Sequence, residues 1–323
     1  MKLAVVGATG MVGGTILKVL SERSFPIDEL YLFAHPAEEE IKYKGKSYIT
    51  EPLDEKSFDR GIDVALFAAG GDVSLKYAPI AAKRGCVVVD NSSAYRMDKD
   101  VPLIIPEVNP EDIKQHKGII ANPNCSTIQA VVALWPLHKA YGIKRIVFST
   151  YQAVAGAGKD GVRDLEDGMK TGAAPKKFQH PIVGNCIPHI DEFQGSGYTK
   201  EEEKMINEPR KIMRAPDLKI TVTCVRVPVV CSHSETINVE FEKPYDLAEL
   251  KALLQNSPGI VVQDEPSKKL YPMPINTAGK DEVFVGRIRR DSSVESGVNL
   301  WVVSDNVRKG AATNAVQIAE LLR

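Results

Sequence analysis

The chain opens Met1-Lys2-Leu3-Ala4-Val5-Val6-Gly7-Ala8-Thr9-Gly10-Met11-Val12-Gly13. A short apolar run passes directly into Gly-x-x-Gly-x-x-Gly, and a helical stretch over residues 15–20 follows. Glycines in such a turn let the backbone double back tightly and approach a pyrophosphate resting over the helix N-terminus. The spacing departs from Gly-x-Gly-x-x-Gly, and a glycine-rich turn with no ligand reads the same in isolation. Its place between a strand and a helix is what points to a dinucleotide.

Outward from this turn, the first 125 residues alternate. Strand-like runs fall at 3–6, 30–34, 64–68, 87–90, 103–105 and 118–121; helix-like runs fall at 15–23, 73–83 and 111–116. Such alternation predicts an α/β, Rossmann-like doubly wound sheet, mostly parallel. Gly70-Gly71-Asp72 would end the third strand and cap the next helix. Beyond residue 125 the strands lengthen (145–154, 219–227, 236–241, 283–289, 298–303) and the helices thin out (128–141, 161–169, 201–213, 247–254). That texture predicts a second, α+β domain with an antiparallel or mixed sheet and helices on one face. The alanine-rich segment 308–322 is helical in period and would dock on the first domain. The expected division is 1–125 and 126–305, with 306–323 returning to the first.

Asn122-Pro123-Asn124-Cys125-Ser126-Thr127 separates an apolar run from a helix. This puts Cys125 at or near a helix N-terminus, where unpaired N–H groups and the helix dipole favour the thiolate. A thiolate attacks carbon, whereas a small buried cysteine after a turn is inert. Paired with a dinucleotide site, the reactive form suggests that the thiol captures an acyl group and a nicotinamide exchanges hydride with the adduct.

The 323 residues are 43% hydrophobic and 26% charged, enough for about two domains with a substantial core. A net charge of −1 offers no field for nucleic acid or an anionic membrane. The five cysteines are scattered and odd in number, without a Cys-x-x-Cys pair, so a reducing compartment, the cytoplasm, is expected. No apolar run reaches the ~18 residues of a membrane span, and no signal peptide is evident. Cys224, Cys231 and His233 lack both the fourth ligand and the close cysteine pair of a zinc site, and no metal is expected.

Several blocks together carry a family resemblance: Gly7–Gly13, Asp90–Asp98, Pro106–Asn109, Asn122–Thr127, Tyr151–Gly158, Glu201–Lys204, Arg226–Val229, His233–Glu235 and Asp305–Ala312. In this combination and order the chain resembles bacterial aspartate-β-semialdehyde dehydrogenases over essentially its whole length. The resemblance implies NADPH-dependent reduction of L-aspartyl-4-phosphate to L-aspartate-4-semialdehyde with release of inorganic phosphate. That reaction serves lysine, threonine, methionine and diaminopimelate synthesis. It further implies that the second domain is catalytic and dimerising, in a homodimer or a dimer of dimers.

Roles follow where residues match. Cys125 matches the nucleophile that becomes an acyl-thioester. His233 matches the acid/base that handles the thiol proton, a task suited to imidazole. Gln152 matches the group that orients the substrate. Arg226 matches the clamp on the substrate α-carboxylate, for which a guanidinium supplies two parallel hydrogen bonds; a salt bridge inside the domain is its plainer reading. Glu201 and Lys204, at i and i+3, would otherwise be a weak surface ion pair. By resemblance they bind the ammonium and the phosphate, with Arg96 and Asn124 also at the phosphate. Gly7, Thr9, Gly10, Met11, Val12, Gly13, Ala155, Gly156 and Asn306 match cofactor contacts, although serine is usual where Ala155 stands.

After the second expected strand, an acid reads the 2′-OH of NAD and an arginine accommodates the 2′-phosphate of NADP. This chain has Leu32-Phe33-Ala34-His35-Pro36-Ala37-Glu38-Glu39-Glu40 there, lacking arginine and serine and carrying three acids. NADP is the expectation from the family, NAD stays open, and Lys42 or Lys44 would compensate if the loop folds back. The competing readings are an N-acetyl-glutamyl-phosphate reductase-like enzyme and a catalytically silent nucleotide-binding paralogue.

Overall fold

The computed structural model describes every residue, Met1–Arg323, and divides into two compact units: Met1–Asn124 with Ala311–Arg323, and Cys125–Gly310. In the first unit the order is β1 (Lys2–Val6), α1 (Met11–Glu22), β2 (Glu29–Phe33), β3 (Glu40–Tyr43), β4 (Lys46–Ile49), β5 (Val64–Phe67), α2 (Gly71–Lys83), β6 (Val87–Asp90) and β7 (Ile119–Ala121). Five strands form one sheet in the order β2-β1-β5-β6-β7, with every pairing parallel. Parallel strands are covered on both faces and so read as near-continuous apolar runs. Here Leu3, Val5, Leu66 and Val89 face Ile16 and Leu20 of α1, while Ala4, Val6, Phe67 and Val88 face Ala78 and Ala81 of α2. The strand order reverses between β1 and β5, where open sheets bind ligands beyond the strand ends.

One expected strand, 103–105, is not a strand. Only an isolated bridge joins Leu103 to Ala121. The run's sheet-facing groups, Ile104 N and the Pro102 carbonyl, meet only Ala121, and the Asn109 side chain closes the opposite edge: its Oδ1 accepts from Ile105 N at 3.0 Å and its Nδ2 donates to the Leu103 carbonyl at 2.9 Å. Conversely, β3 and β4 form an antiparallel hairpin where the sequence pattern predicts no strand.

The second unit contains α3 (Cys125–Tyr141), β8 (Ile143–Gln152), α4 (Gly158–Thr171), α5 (Lys200–Ile212), β9 (Lys219–Arg226), β10 (His233–Phe241), α6 (Leu247–Gln255), β11 (Ile260–Val262), the single turn α7 (Pro274–Thr277), β12 (Val283–Asp291) and β13 (Gly297–Ser304). Its six-stranded sheet runs β11-β12-β13-β10-β8-β9 and is mixed, with β8/β9 and β11/β12 parallel and the rest antiparallel. Side chains alternate across a strand, so register defines rows on the buried face. One row is apolar: Val222, Phe148, Ile237 and Leu300. The next is Cys224, Thr150, Glu235 and Val302, and after it Arg226 lies beside Gln152 and His233 beside Ser304. Helices α3 and α5 pack over this sheet. From Ile128 to Leu137, α3 is apolar nearly all round and buried accordingly.

The chain rejoins the first unit at Ala311, five residues after the expected 306, and Cys125 falls with the second unit, one residue before the expected boundary. Residues 305–310 are tied to the second unit: Asp305 Oδ1 accepts from Val307 and Arg308 N–H, and Arg308 pairs with Asp281. The last helix, α8 (Thr313–Glu320), then packs on α1, β5 and β6.

A Cβ on Gly13 would stand 2.1 Å from the Gly7 carbonyl oxygen, whereas a Cβ on Gly14 meets nothing within 4 Å. Gly13→Ala is therefore expected to destabilise the protein by roughly 1–3 kcal/mol through overpacking. Gly14→Ala, the neighbouring control, should match or exceed wild type. Thermal unfolding of the pair checks this, and equal melting temperatures would refute the close approach.

Candidate active site

The site residues of the second unit are held by three devices. Cys125 is the first residue of α3 and half-buried. Its thiol thus lies at a helix terminus whose N–H groups favour negative charge. A Cβ on Gly310 would come within 2.9 Å of Cys125 Cβ, so glycine lets the backbone pass beside the thiol. The second device is the capping box that opens α5. Thr199 accepts from Glu202 N, and the Glu202 carboxylate accepts from Thr199 N and, at 3.0 Å, from Cys224 N on β9. This anchors the first turn of α5 to the sheet and holds Glu201 and Lys204 over it.

The third device is the polar row at the ends of β8, β9 and β10. Gln152 donates through Nε2 to Ser126 Oγ at 2.9 Å and Glu201 Oε1 at 3.1 Å. Glu201 Oε2 accepts from Lys204 Nζ at 3.1 Å, and Lys204 also reaches Asp191 at 2.9 Å. Glu201 is buried, so this is no solvent-exposed ion pair. Arg226 is 6% exposed, and its Nη1 donates to the Ala153 carbonyl at 2.8 Å. Burial weakens its hold on its proton, while Glu201, and Cys125 when ionised, strengthen it.

His233 is fully buried. Its Nδ1 accepts the Ala153 N–H at 2.9 Å, which puts the proton of the neutral ring on Nε2, an atom with no hydrogen-bond partner. Burial and the nearby Arg226 cation hold its pKa down to about 3, against a smaller opposing effect of Glu201. Gly156 makes the crowding possible: a Cβ there would lie 2.8 Å from Arg226 Nη1 and 3.0 Å from the His233 ring. Ala155 is buried, its N–H donating to the Val230 carbonyl. Asn306 accepts from Ser232 N at 3.0 Å, holding the backbone just before His233.

The first unit holds the remaining candidates. Arg96 donates to the carbonyls of Asn122 at 2.9 Å and Asn91 at 2.8 Å, and Asn124 is buried at the end of this segment. Gly7, with φ +86°, turns the chain beside Ala68, where a Cβ would meet the carbonyl oxygen at 2.6 Å. Gly10 precedes α1 without any side-chain cap, which leaves the helix N–H groups to a ligand. Thr9, Met11 and Val12 complete the loop. Next to it is a cleft of about 290 Å³, lined by Phe33, Ala34, His35, Leu53, Val73 and Tyr77 among others. A narrow glycine turn, an uncapped helix and an apolar cleft fit the pyrophosphate and adenosine of a dinucleotide. Glu38, Glu39 and Glu40 are exposed, and Lys42 lies on the β3–β4 hairpin.

The structure thus gathers Cys125, Gln152, Ala155, Gly156, Glu201, Lys204, Arg226, His233 and Asn306 in the second unit and the others in the first. Sequence reasoning gave no role to Ser126, Gly310, Asp191, Gln129 and Glu235. Two of them had a signal: Gln129 is four residues after Cys125 on a helix and Glu235 two after His233 on a strand, which shares a face in each case. No group of three or more His, Cys, Asp or Glu side chains is arranged to hold a metal, and no helix is long and apolar enough to cross a membrane.

Residues 2–116 match the family described as semialdehyde dehydrogenase, NAD binding domain, and residues 134–309 match semialdehyde dehydrogenase, dimerisation domain. Together they define a two-domain semialdehyde dehydrogenase. Aspartate-semialdehyde dehydrogenase of Aquifex aeolicus is 56% identical, covering 99% of this chain and 97% of that one. The Bacillus subtilis enzyme of the same name is 48% identical over 100% and 97%. The crystal structure of aspartate semialdehyde dehydrogenase II from Vibrio cholerae, complexed with ASA, superposes with a TM-score of 0.96 at 48% identity, covering 99% and 97%. The chain belongs to the aspartate-semialdehyde dehydrogenase family of oxidoreductases.

The depressed pKa of His233 has a consequence for stability. The unfolded histidine titrates near ~6.5 and the folded one at about 3, so between these values the unfolded chain binds the extra proton. Its contribution is complete above the higher value and falls as pH drops through the window, by up to about 1.4 kcal/mol per pH unit. Urea unfolding at pH 7 and pH 5 should therefore show a smaller acid loss in His233→Asn than in wild type, by up to about 2 kcal/mol. Equal losses would mean that the folded protein accommodates imidazolium.

Proposed function

We propose that this enzyme reduces L-aspartyl-4-phosphate to L-aspartate-4-semialdehyde with NADP as its dinucleotide, through an acyl-thioester on Cys125, in lysine, threonine, methionine and diaminopimelate synthesis. The observation that carries the reading is the placement of one thiol, at a helix N-terminus, in the same buried charge cluster as Arg226, Glu201 and His233. The Vibrio cholerae relative in complex with ASA supports the substrate.

The Cys125 thiolate attacks the acyl carbon and phosphate departs with the electron pair of the broken C–O bond. A nicotinamide held in the dinucleotide site would supply hydride to the thioester carbon, and Cys125 would then be expelled as the thiolate to leave the aldehyde. Arg226 binds the α-carboxylate with the guanidinium edge not used by Ala153. Glu201 takes the ammonium, and Lys204, Arg96 and Asn124 take the phosphate. Gln152, fixed by Ser126 and Glu201, sets the acyl group over the thiol. His233 presents its Nε2 proton to charge developing on oxygen or sulfur. The base half of the acid/base role expected from the resemblance needs a bare lone pair at Nε2, and the Ala153 contact must break for the ring to offer one. Gly7, Gly10 and Gly13 admit the pyrophosphate, with Thr9, Met11 and Val12 beside it; Ala155, Gly156 and Asn306 border the nicotinamide.

The family match to a dimerisation domain supports a homodimer or a dimer of dimers. A Candida albicans relative with NADP, 27% identical at a TM-score of 0.78, supports that dinucleotide. Phosphate-dependent oxidation of aspartate semialdehyde, assayed with NADP and NAD in parallel, tests the whole reading. No reaction with either dinucleotide would overturn it, as would wild-type turnover by Cys125→Ser.

Arg226→Lys keeps the charge and loses the two-pronged geometry. Its kcat/KM is expected to fall roughly 10- to 100-fold, the worth of a charged hydrogen bond; unchanged kinetics would make Arg226 structural. No arginine or lysine lines the apolar cleft, and the loop leading from it carries Glu38 and Glu39. Discrimination for NADP over NAD should therefore be weak, and Ala37→Arg should strengthen NADP use by roughly 1–3 kcal/mol. The ratio of kcat/KM values for the two cofactors, before and after substitution, decides it.

A further inference from the structure

One row inward from the site, on the same face of the sheet, lies a carboxyl group that the mechanism above does not use. Glu235 on β10 is completely buried and neither of its oxygens has a hydrogen-bond partner. Gln129 on α3 is equally buried, and both ends of its amide are also without partners. The amide lies close enough to favour the carboxylate form of Glu235, although not in hydrogen-bond geometry. We propose that Glu235 is carried as an uncharged carboxylic acid and positions Cys125 by hydrogen bonding to Gln129. This rests on the reading of Cys125 as the nucleophile.

The charges around Glu235 argue for the neutral form. A buried carboxylate without a cation costs several kcal/mol. From α5 it meets the Glu201 carboxylate, which repels a second negative charge, and from β9 the Cys224 thiol, which burial keeps protonated and uncharged. Its row neighbours are Thr150 on β8 and Val302 on β13, and α3 brings the uncharged Gln129. On its own strand the nearest titratable residue is His233, which is held neutral. No cation faces it. The desolvation that pushes its pKa well above the ordinary carboxyl range agrees with this.

A protonated carboxyl and a primary amide are complementary. The acid O–H donates to Gln129 Oε1, and Gln129 Nε2 donates to the acid carbonyl, by a small rotation or across one internal water. Such a pair satisfies all four orphaned atoms, as buried polar groups require. Gln129 lies one turn beyond Cys125 on α3, on the same helix face. Pinning it to β10 fixes the start of α3, and with it the thiol, relative to His233.

Difference infrared spectra of wild type and Glu235→Gln at pH 7 test the protonation state without turnover. A protonated-carboxyl stretch present in wild type and lost in the variant is expected; its absence from wild type would overturn the proposal. Glu235→Gln, which keeps a neutral hydrogen-bonding group, should retain kcat and the iodoacetamide alkylation rate of Cys125 within about threefold, whereas Glu235→Leu should lose about tenfold in both with KM little changed. A Leu variant as active as wild type, or a folded Gln variant without activity, would refute the positioning role. If Glu235→Leu does not fold, the infrared band and the Gln variant still decide. Failure of the nucleophile assignment is separately visible as turnover by Cys125→Ser, and leaves the infrared result intact.

Discussion

The guanidinium of Arg226 is a permanent positive charge almost wholly removed from water, and most of the second unit's site can be understood as its accommodation. Burying a charge costs several kcal/mol unless opposite charge and hydrogen bonds surround it. Glu201 supplies the negative charge, and the Ala153 carbonyl takes one N–H. Glu201 is in turn held by Gln152 and Lys204. Burial, together with the same cation, suppresses protonation of His233, so the imidazole stays neutral with its proton on the atom opposite the Ala153 contact. Crowding of Arg226 and His233 leaves no room for a Cβ at position 156. Glu235, one row inward, meets no such cation, and burial, with a smaller push from Glu201, holds its carboxyl well above the ordinary range.

The polar rows occupy one end of a sheet face that is otherwise hydrocarbon. Phe148, Val222, Ile237 and Leu300 form the apolar row, and polarity increases row by row toward the ends of β8 and β9 and the start of β10. Rigid strands fix the positions of such groups better than loops do. Helix α3 serves this arrangement twice: its apolar body seals the face, and its first residue is the thiol. In the first unit the governing constraint is steric. The turn after β1 passes so close to Ala68 and to the start of α1 that side chains are excluded at Gly7 and Gly13.

Much of this was legible before folding. Alternating apolar runs announced the parallel sheet because strands covered on both faces must be apolar throughout, and the longer runs after residue 125 announced a mixed sheet. Run 103–105 is apolar like a strand, yet its sheet-facing groups meet β7 only at Ala121, where β7 ends, and the Asn109 side chain occupies its outer edge. The β3–β4 hairpin carries an alternating apolar face, Ile41, Tyr43 and Tyr48, packed on the first unit's core, but each strand is only four residues long and most of its other positions are charged or polar, so its signal is weak. The helix beginning at Cys125 was read three residues late, since Cys-Ser-Thr carries little helical signal of its own.

The site divides along the same physical line. Sequence by itself determined the chemical inventory: a cysteine before a helix, a glycine turn after a strand, and an arginine, a glutamine, a histidine and a Glu-x-x-Lys pair able to serve them. These are local properties of residue type and spacing. Only the tertiary structure decided which of these groups share a buried face, which proton His233 carries, and that Glu201 rather than Glu235 answers Arg226. Those outcomes depend on strand register and on distances between residues far apart in the chain. Charge interactions in a low-dielectric interior are set by those distances.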